Sequence, residues 1–225
     1  MPAFRFARHA VVAAGLLAAP AAFSGYRTSL EQLLPPQGLE RVEIPGLGLA
    51  YSRPGALARY DRVVLDPVDV EFRRDWTPYR TGSAIRLSTA DREGLRAEVA
   101  GLVRDAFAQT LQRRGVRLAD APGPGVLRVR LRVVDLYLND PGVSSAGRSR
   151  VFTLSSGEIT LVGELADAPS GEVLARVADW QDMRHIDHVL LRSSNIRTQA
   201  DVDGVASGWA ASLAGAMGRD GRLSQ

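Results

Sequence analysis

The chain contains no cysteine and no lysine. Without cysteine there can be no disulfides, no thiolate nucleophile and no cysteine-ligated zinc or iron–sulfur site. Without lysine, all 28 basic residues are arginine. Together with abundant Ala, Gly, Val and Leu, that bias points to a GC-rich bacterial genome and weakens any functional reading of an individual arginine. Histidine occurs three times, at His9, His185 and His188. Gly-rich phosphate loops and serine nucleophile elbows are absent, so no cofactor is implied. Beyond the N-terminus no apolar run approaches the roughly 20 residues a membrane-spanning helix needs.

What is present begins with an export signal. Arg5, Arg8 and His9 form a positive region, Ala10 to Ala19 a short apolar run, and Ala19-Pro20-Ala21 a small-residue cleavage pattern, so residues 1–22 read as a signal peptide. The expected location is periplasmic or secreted. No acidic residue precedes Glu31, so loss of Arg5 and Arg8 lowers the formal charge from +3 to +1. A nearly neutral product lacks the electrostatic footprint of a nucleic-acid binder. With 45% hydrophobic and 24% charged residues, the chain has an ordinary globular composition and can bury one core.

Residues 23–58 are rich in Gly and Pro and read as an extended leader, followed by an α+β domain over 59–218 and a frayed tail over 219–225. The run Arg62 to Phe72 is β-branched but interrupted by Pro67, which predicts a bulge or a sheet edge there. Ser88 and Thr89 are candidate N-caps for a helix whose core face carries Leu95, Val99, Leu102, Val103, Phe107 and Leu111, ending before Gly115. Val116 to Leu118 can form a short strand. From Val126 to Leu138 the pattern alternates, which places Leu127, Val129, Leu131 and Val133 on the core side and Arg128, Arg130 and Arg132 toward solvent. Asn139 to Arg150, with Gly, Ser, Asp and Pro, reads as a mobile loop. Strands at 152–166 and 172–182 flank turn chemistry at Asp167 to Gly171, and a second helix is predicted over 200–217. The expected fold is a single α+β domain: a mixed or antiparallel sheet of about four to five strands with two main helices packed on one face.

Candidate chemistry is sparse. The cluster from Asp179 to His188 places Asp182, His185 and His188 where a metal-dependent hydrolase could hold a divalent ion, although the spacing matches no established metal motif. The carboxylates around Pro67 show no convergence on a cleft. An arginine ladder at 128, 130 and 132 reads as a solvated strand face. Tyr26, Tyr51, Trp76 and Tyr79 lie outside strongly periodic elements and serve either as packing anchors or as a partner-binding patch. The leading expectation is a non-enzymatic scaffolding or partner-binding protein, with an envelope protein or polymer as partner. A metal-dependent hydrolase and a small apolar-ligand carrier are the rivals.

Three segments together carry a resemblance: Phe23-Ser-Gly-Tyr26, Tyr60-Asp-Arg-Val-Val-Leu-Asp-Pro-Val-Asp-Val70, and the hairpin from Gly157 to Ala175. They resemble domain-of-unknown-function family 3313, a family of uncharacterised bacterial envelope lipoproteins. The resemblance implies an envelope location and a small α/β domain, and it transfers no catalytic residue. It departs at Ala18 to Ala22, where members carry a lipid-modified cysteine and this sequence has none.

Overall fold

The computed structural model describes residues 28–76, 88–146, 149–183 and 195–218; of 139–146, 149–156 and 195–201 it describes the backbone alone. The order is α1 (Leu30–Leu33), β1 (Glu40–Val42), β2 (Leu49–Ser52), β3 (Arg62–Leu65), β4 (Asp69–Phe72), α2 (Thr89–Arg113), β5 (Arg117–Leu118), β6 (Val126–Ala146), β7 (Ser149–Asp167), β8 (Val173–Asp182) and α3 (Asn195–Ala216). One eight-stranded mixed sheet runs β1-β2-β8-β7-β6-β3-β5, and β4 pairs with β6 beyond the end of β3.

This corrects the expectation of four to five strands and two helices. Two of the additional strands come from the Gly/Pro-rich leader: β1 pairs antiparallel with β2, and β2 with β8. Such short segments carry no periodicity of their own, because the edge of β8 supplies the ladder that defines them. The third arises at Pro67. β3 runs parallel to β6 at Val126 to Val129, and β4 resumes the same parallel pairing at Arg132 to Leu136. Proline cannot donate to a ladder, so one predicted strand becomes two. The third helix, α1, also comes from the leader.

α2 forms where its pattern demands. Ser88 caps it with a full capping box, its Oγ accepting from Asp91 N at 3.2 Å while Ser88 N donates to Asp91 Oδ2 at 3.0 Å. Gly115, at φ 78, takes the left-handed conformation that ends the helix without a Cβ penalty. Leu95, Val99, Val103, Phe107 and Leu111 are buried along one face. α3 adds Val202, Trp209, Ala210 and Leu213, with Met217 just past its end, and both helices pack on the sheet face made by Leu127, Val129, Leu131, Leu161 and Leu165. The opposite face carries a smaller cluster of Leu34, Leu49, Val134, Val162 and Ala178, roofed by Leu30 and Leu33 around α1.

The β7–β8 turn is locked by Asp167, which accepts from Ser170 N at 3.1 Å, Ser170 Oγ at 2.7 Å and the Tyr60 hydroxyl at 2.8 Å. The Ser170 hydroxyl, then Tyr60, hold the Asp167 carboxyl below the usual carboxylate range. Burial, reinforced by Asp167, pushes the Tyr60 hydroxyl up. Among the described residues no helix is long and apolar enough to cross a membrane.

Candidate functional site

Of the predicted aromatic residues two are described, Trp76 and Tyr51, and they lie apart. Trp76 is 4% exposed and belongs to the main core. Tyr51 is half-buried against the small cluster on the other sheet face, with β8, β7 and β6 between its strand and β4. Tyr26 and Tyr79 lie outside the described residues, as do His185 and His188. Asp182 ends β8, opposite Glu158 in the ladder.

Nor does the arginine ladder offer a bare cationic stripe. Arg128 Nε donates to Asp66 Oδ2 at 2.8 Å, Arg130 Nη1 to Glu164 Oε1 at 2.7 Å and Arg132 Nη2 to Glu71 Oε1 at 2.8 Å. Each guanidinium therefore faces a carboxylate across the strands. Between helices and sheet, Ile44, Leu47, Phe107, Leu161 and Trp209 line an apolar cavity of about 20 Å³, which holds at most a water-sized guest. The proposed apolar-ligand carrier has no room there. An open groove of about 460 Å³ is lined by Glu43, Ile44, Pro45, Arg114 and Ser212 among others.

The buried polar group of note is Asp179, 5% exposed on β8. Its Oδ2 accepts from Trp209 Nε1 at 2.6 Å and Gln181 Nε2 at 2.7 Å, and its Oδ1 from Gly48 N at 3.0 Å. Three neutral donors from α3, β8 and the β1–β2 loop thus meet on one carboxyl group. It is an internal clasp, with its acceptor sites turned inward.

The feature that leaves the body is the β6–β7 hairpin. β3 and β4 accompany β6 only as far as Leu136, and β8 accompanies β7 only from Glu158 onward. Beyond Leu138 and Gly157 the two strands continue, from the pair Asp140–Ser155 to the pair Ala146–Ser149. Among the described residues this arm pairs only with itself. At ~3.4 Å per residue, its strands add about 27 Å beyond the sheet. The segment read as a mobile loop is, up to Ala146, strand, because the ladder from the body carries Gly, Ser and Pro along with it.

A collar braces the arm at its base. Asp135 adopts φ 52 and the register shifts between Val134 and Tyr137, marking a β-bulge. Asp135 Oδ2 accepts from Thr28 N at 3.0 Å, tying the leader to the bulge. Gly157 is required opposite it, because a Cβ there would lie 1.8 Å from Tyr137 O. Trp76 Nε1 donates to Leu138 O at 2.9 Å, and its ring stacks on Phe72 at 4.0 Å. Arg73 lies 4.0 Å over the Tyr137 ring and bonds Asp75 at 2.7 Å and Glu158 at 3.1 Å. Trp76 was legible as a residue of interest, and its position shows what it does: it fixes the root of the arm. The bulge itself left no local signature in the sequence beyond an aspartate inside an apolar run.

Comparison with solved structures finds the PelC dodecamer from Paraburkholderia phytofirmans at 15% identity and TM-score 0.34, covering 71% of this chain and 94% of that one. A minor lipoprotein from Acinetobacter baumannii is similar at 10% identity and TM-score 0.32, covering 69% and 94%. A protein from Xanthomonas campestris of family DUF330 is similar at 10% identity and TM-score 0.34, covering 71% and 84%. No curated protein matches the sequence. The family model described as a protein of unknown function, DUF3313, matches residues 30–213, and the chain belongs to that family.

Proposed function

We propose that this chain is an exported, non-enzymatic domain of the bacterial cell envelope that holds an envelope component through its β-arm. The observation that carries the reading is the arm's isolation, since residues 139–146 and 149–157 pair with each other and with no other described strand. An isolated two-stranded hairpin is marginal in water, and three or more strands or a packed face are needed for independent stability. A bulge, a glycine and a tryptophan are nevertheless committed to aiming it away from the body. That expenditure of structure on a self-paired projection favours a surface that meets a partner. The same reading accounts for paired arginines on the sheet face and for the small size, about 20 Å³, of the apolar cavity between helices and sheet.

The test replaces residues 139–156 by Asn-Gly, so that a two-residue type I′ turn closes the hairpin at the Leu138–Gly157 pair. The expected result is unchanged thermal unfolding with loss of sedimentation alongside isolated envelopes. Co-sedimentation equal to that of the intact chain would remove the arm from the function.

A further inference from the structure

We infer that the groove between the β1–β2 loop and α3 is a second binding site, which takes the C-terminal carboxylate of an extended peptide. It shares no residue with the arm. The observation that carries it is an arginine. Among the described residues Arg62, Arg73, Arg114, Arg128 and Arg176 are half-buried. Arg62 donates to Pro124 O, Arg73 to Asp75, Arg128 to Asp66 and Arg176 to Pro35 O. Arg114 has no side-chain hydrogen bond or ion pair among the described residues, and it lines the open groove of about 460 Å³. A guanidinium drawn partly out of water without a partner carries a cost that an incoming carboxylate removes.

The walls are specified by sequence. One is a turn from Ile44 to Leu47, closed by Leu47 N donating to Ile44 O at 3.1 Å, with Pro45 and Gly46 at its central positions. Gly46 takes φ 81, as the third position of a type II turn requires. A Cβ there would lie 2.6 Å from Ser212 Oγ, so glycine is what lets the turn lie this close to α3. On the α3 side the groove is lined by Ala211, Gly215 and Ala216, whose small size leaves a volume within the roughly 300–1,000 Å³ range of ligand sites.

Charge and topology select the ligand. A planar guanidinium matches a carboxylate with two parallel hydrogen bonds. Glu43 also lines the groove, and Arg114 sits at the partly negative C-terminal end of α2. Those two features offset part of the arginine's charge, so a dianionic phosphate fits poorly and a single carboxylate fits well. Ile44, Pro45 and Ala211 supply an apolar surface for the side chain of the last residue. β1 points to a peptide, because it ends the sheet and its outer edge pairs with no other described strand. Val42 closes β1, and Glu43 and Ile44 follow it into the groove, so a segment added parallel to β1 ends there. Three residues make a short ladder, which leaves discrimination to Arg114.

The test is fluorescence anisotropy of the full chain with labelled hexapeptides that end in valine, as free acids and as C-terminal amides. The free acids should bind about tenfold more tightly than the amides. Arg114→Gln should remove that preference while leaving amide binding in place, an effect that a structural role for Arg114 would not produce. Ala211→Leu, which fills the groove, should weaken both, and Glu43→Gln should tighten the free acids. Circular dichroism and melting establish that each variant is folded. Equal binding of acid and amide, a preference that survives Arg114→Gln, or no binding of any peptide overturns the inference. Inorganic phosphate that displaces the peptides more strongly than acetate does overturns the carboxylate assignment. Self-association that Arg114→Gln abolishes, without peptide binding, gives the groove to a second copy and likewise overturns the inference.

Discussion

Asp179 offers the most direct trial of the packing argument. Substituting Asn keeps its size and one acceptor, but three donors converge on its two oxygens. If the amide nitrogen takes the place of Oδ1, it opposes Gly48 N; if it replaces Oδ2, it opposes both Trp209 Nε1 and Gln181 Nε2. Gln181 is only half-buried and can turn to water, whereas Trp209 is 2% exposed and cannot. A buried donor left without a partner costs about 1–3 kcal/mol. Asp179→Asn should therefore lose about 2–3 kcal/mol, and Asp179→Ala, which abandons both Trp209 and Gly48, about 3–5 kcal/mol. For a domain of this size that corresponds to a fall in Tm of several degrees for Asn, at ~2–4 °C per kcal/mol. Urea unfolding of Asp179→Asn, Trp209→Phe and the double variant completes a cycle. Because Trp209→Phe removes a donor, the double variant should be more stable than the sum of the singles predicts, by about 1–2 kcal/mol. A loss below about 1 kcal/mol for Asp179→Asn, or strict additivity, would refute the claim that the clasp depends on acceptor count.

Gly157→Ala should open the arm's root, because its Cβ meets backbone at Tyr137 and the bulge has no side chain to move aside. Faster amide hydrogen exchange from Leu138 onward, with slow exchange retained in β8, is the expected signature. Asp167 gives a pH dependence of defined sign. Its carboxyl is held below the usual range, so the stability it adds is present above the unfolded value near pH ~3.9 and is lost as pH falls through the folded value. Urea midpoints measured from pH 6 to pH 2.5 should fall less steeply for Asp167→Asn than for the intact chain, and parallel curves would contradict this.

How much of this could be read from sequence varies by element, and the reason is locality. α2 was legible to its caps because an amphipathic helix with Ser88 at one end and Gly115 at the other carries its whole specification in neighbouring residues. The core-facing set Leu127, Val129, Leu131 and Val133 was legible for the same reason. β1 and β2 were not, because three or four residues between prolines and glycines become strand only when β8 presents an edge. The arm was misread because Gly, Ser and Pro argue for a loop, and nothing local says that the ladder continues. Asp179 stood out only as one member of a polar cluster. Its partner Trp209 fell inside the helix predicted over 200–217, and thirty positions separate the two. In the aromatic set, composition located Trp76, but burial and the bond to Leu138 decided its role.

The pairing of β2 with β8 also orders events in time. Leu49 to Ser52 find their partners at Ala175 to Ala178, more than half the chain away, and α1 covers a cluster that needs Ala178 to exist. At ribosomal rates of ~5–20 residues per second, the N-terminal strands are made on the order of ten seconds before the strand that receives them. What is synthesised first is thus among the last to dock. Until then Leu34 and Leu49 lack the cover that β8 gives them, which defines the interval in which a holding chaperone or a competing strand has access.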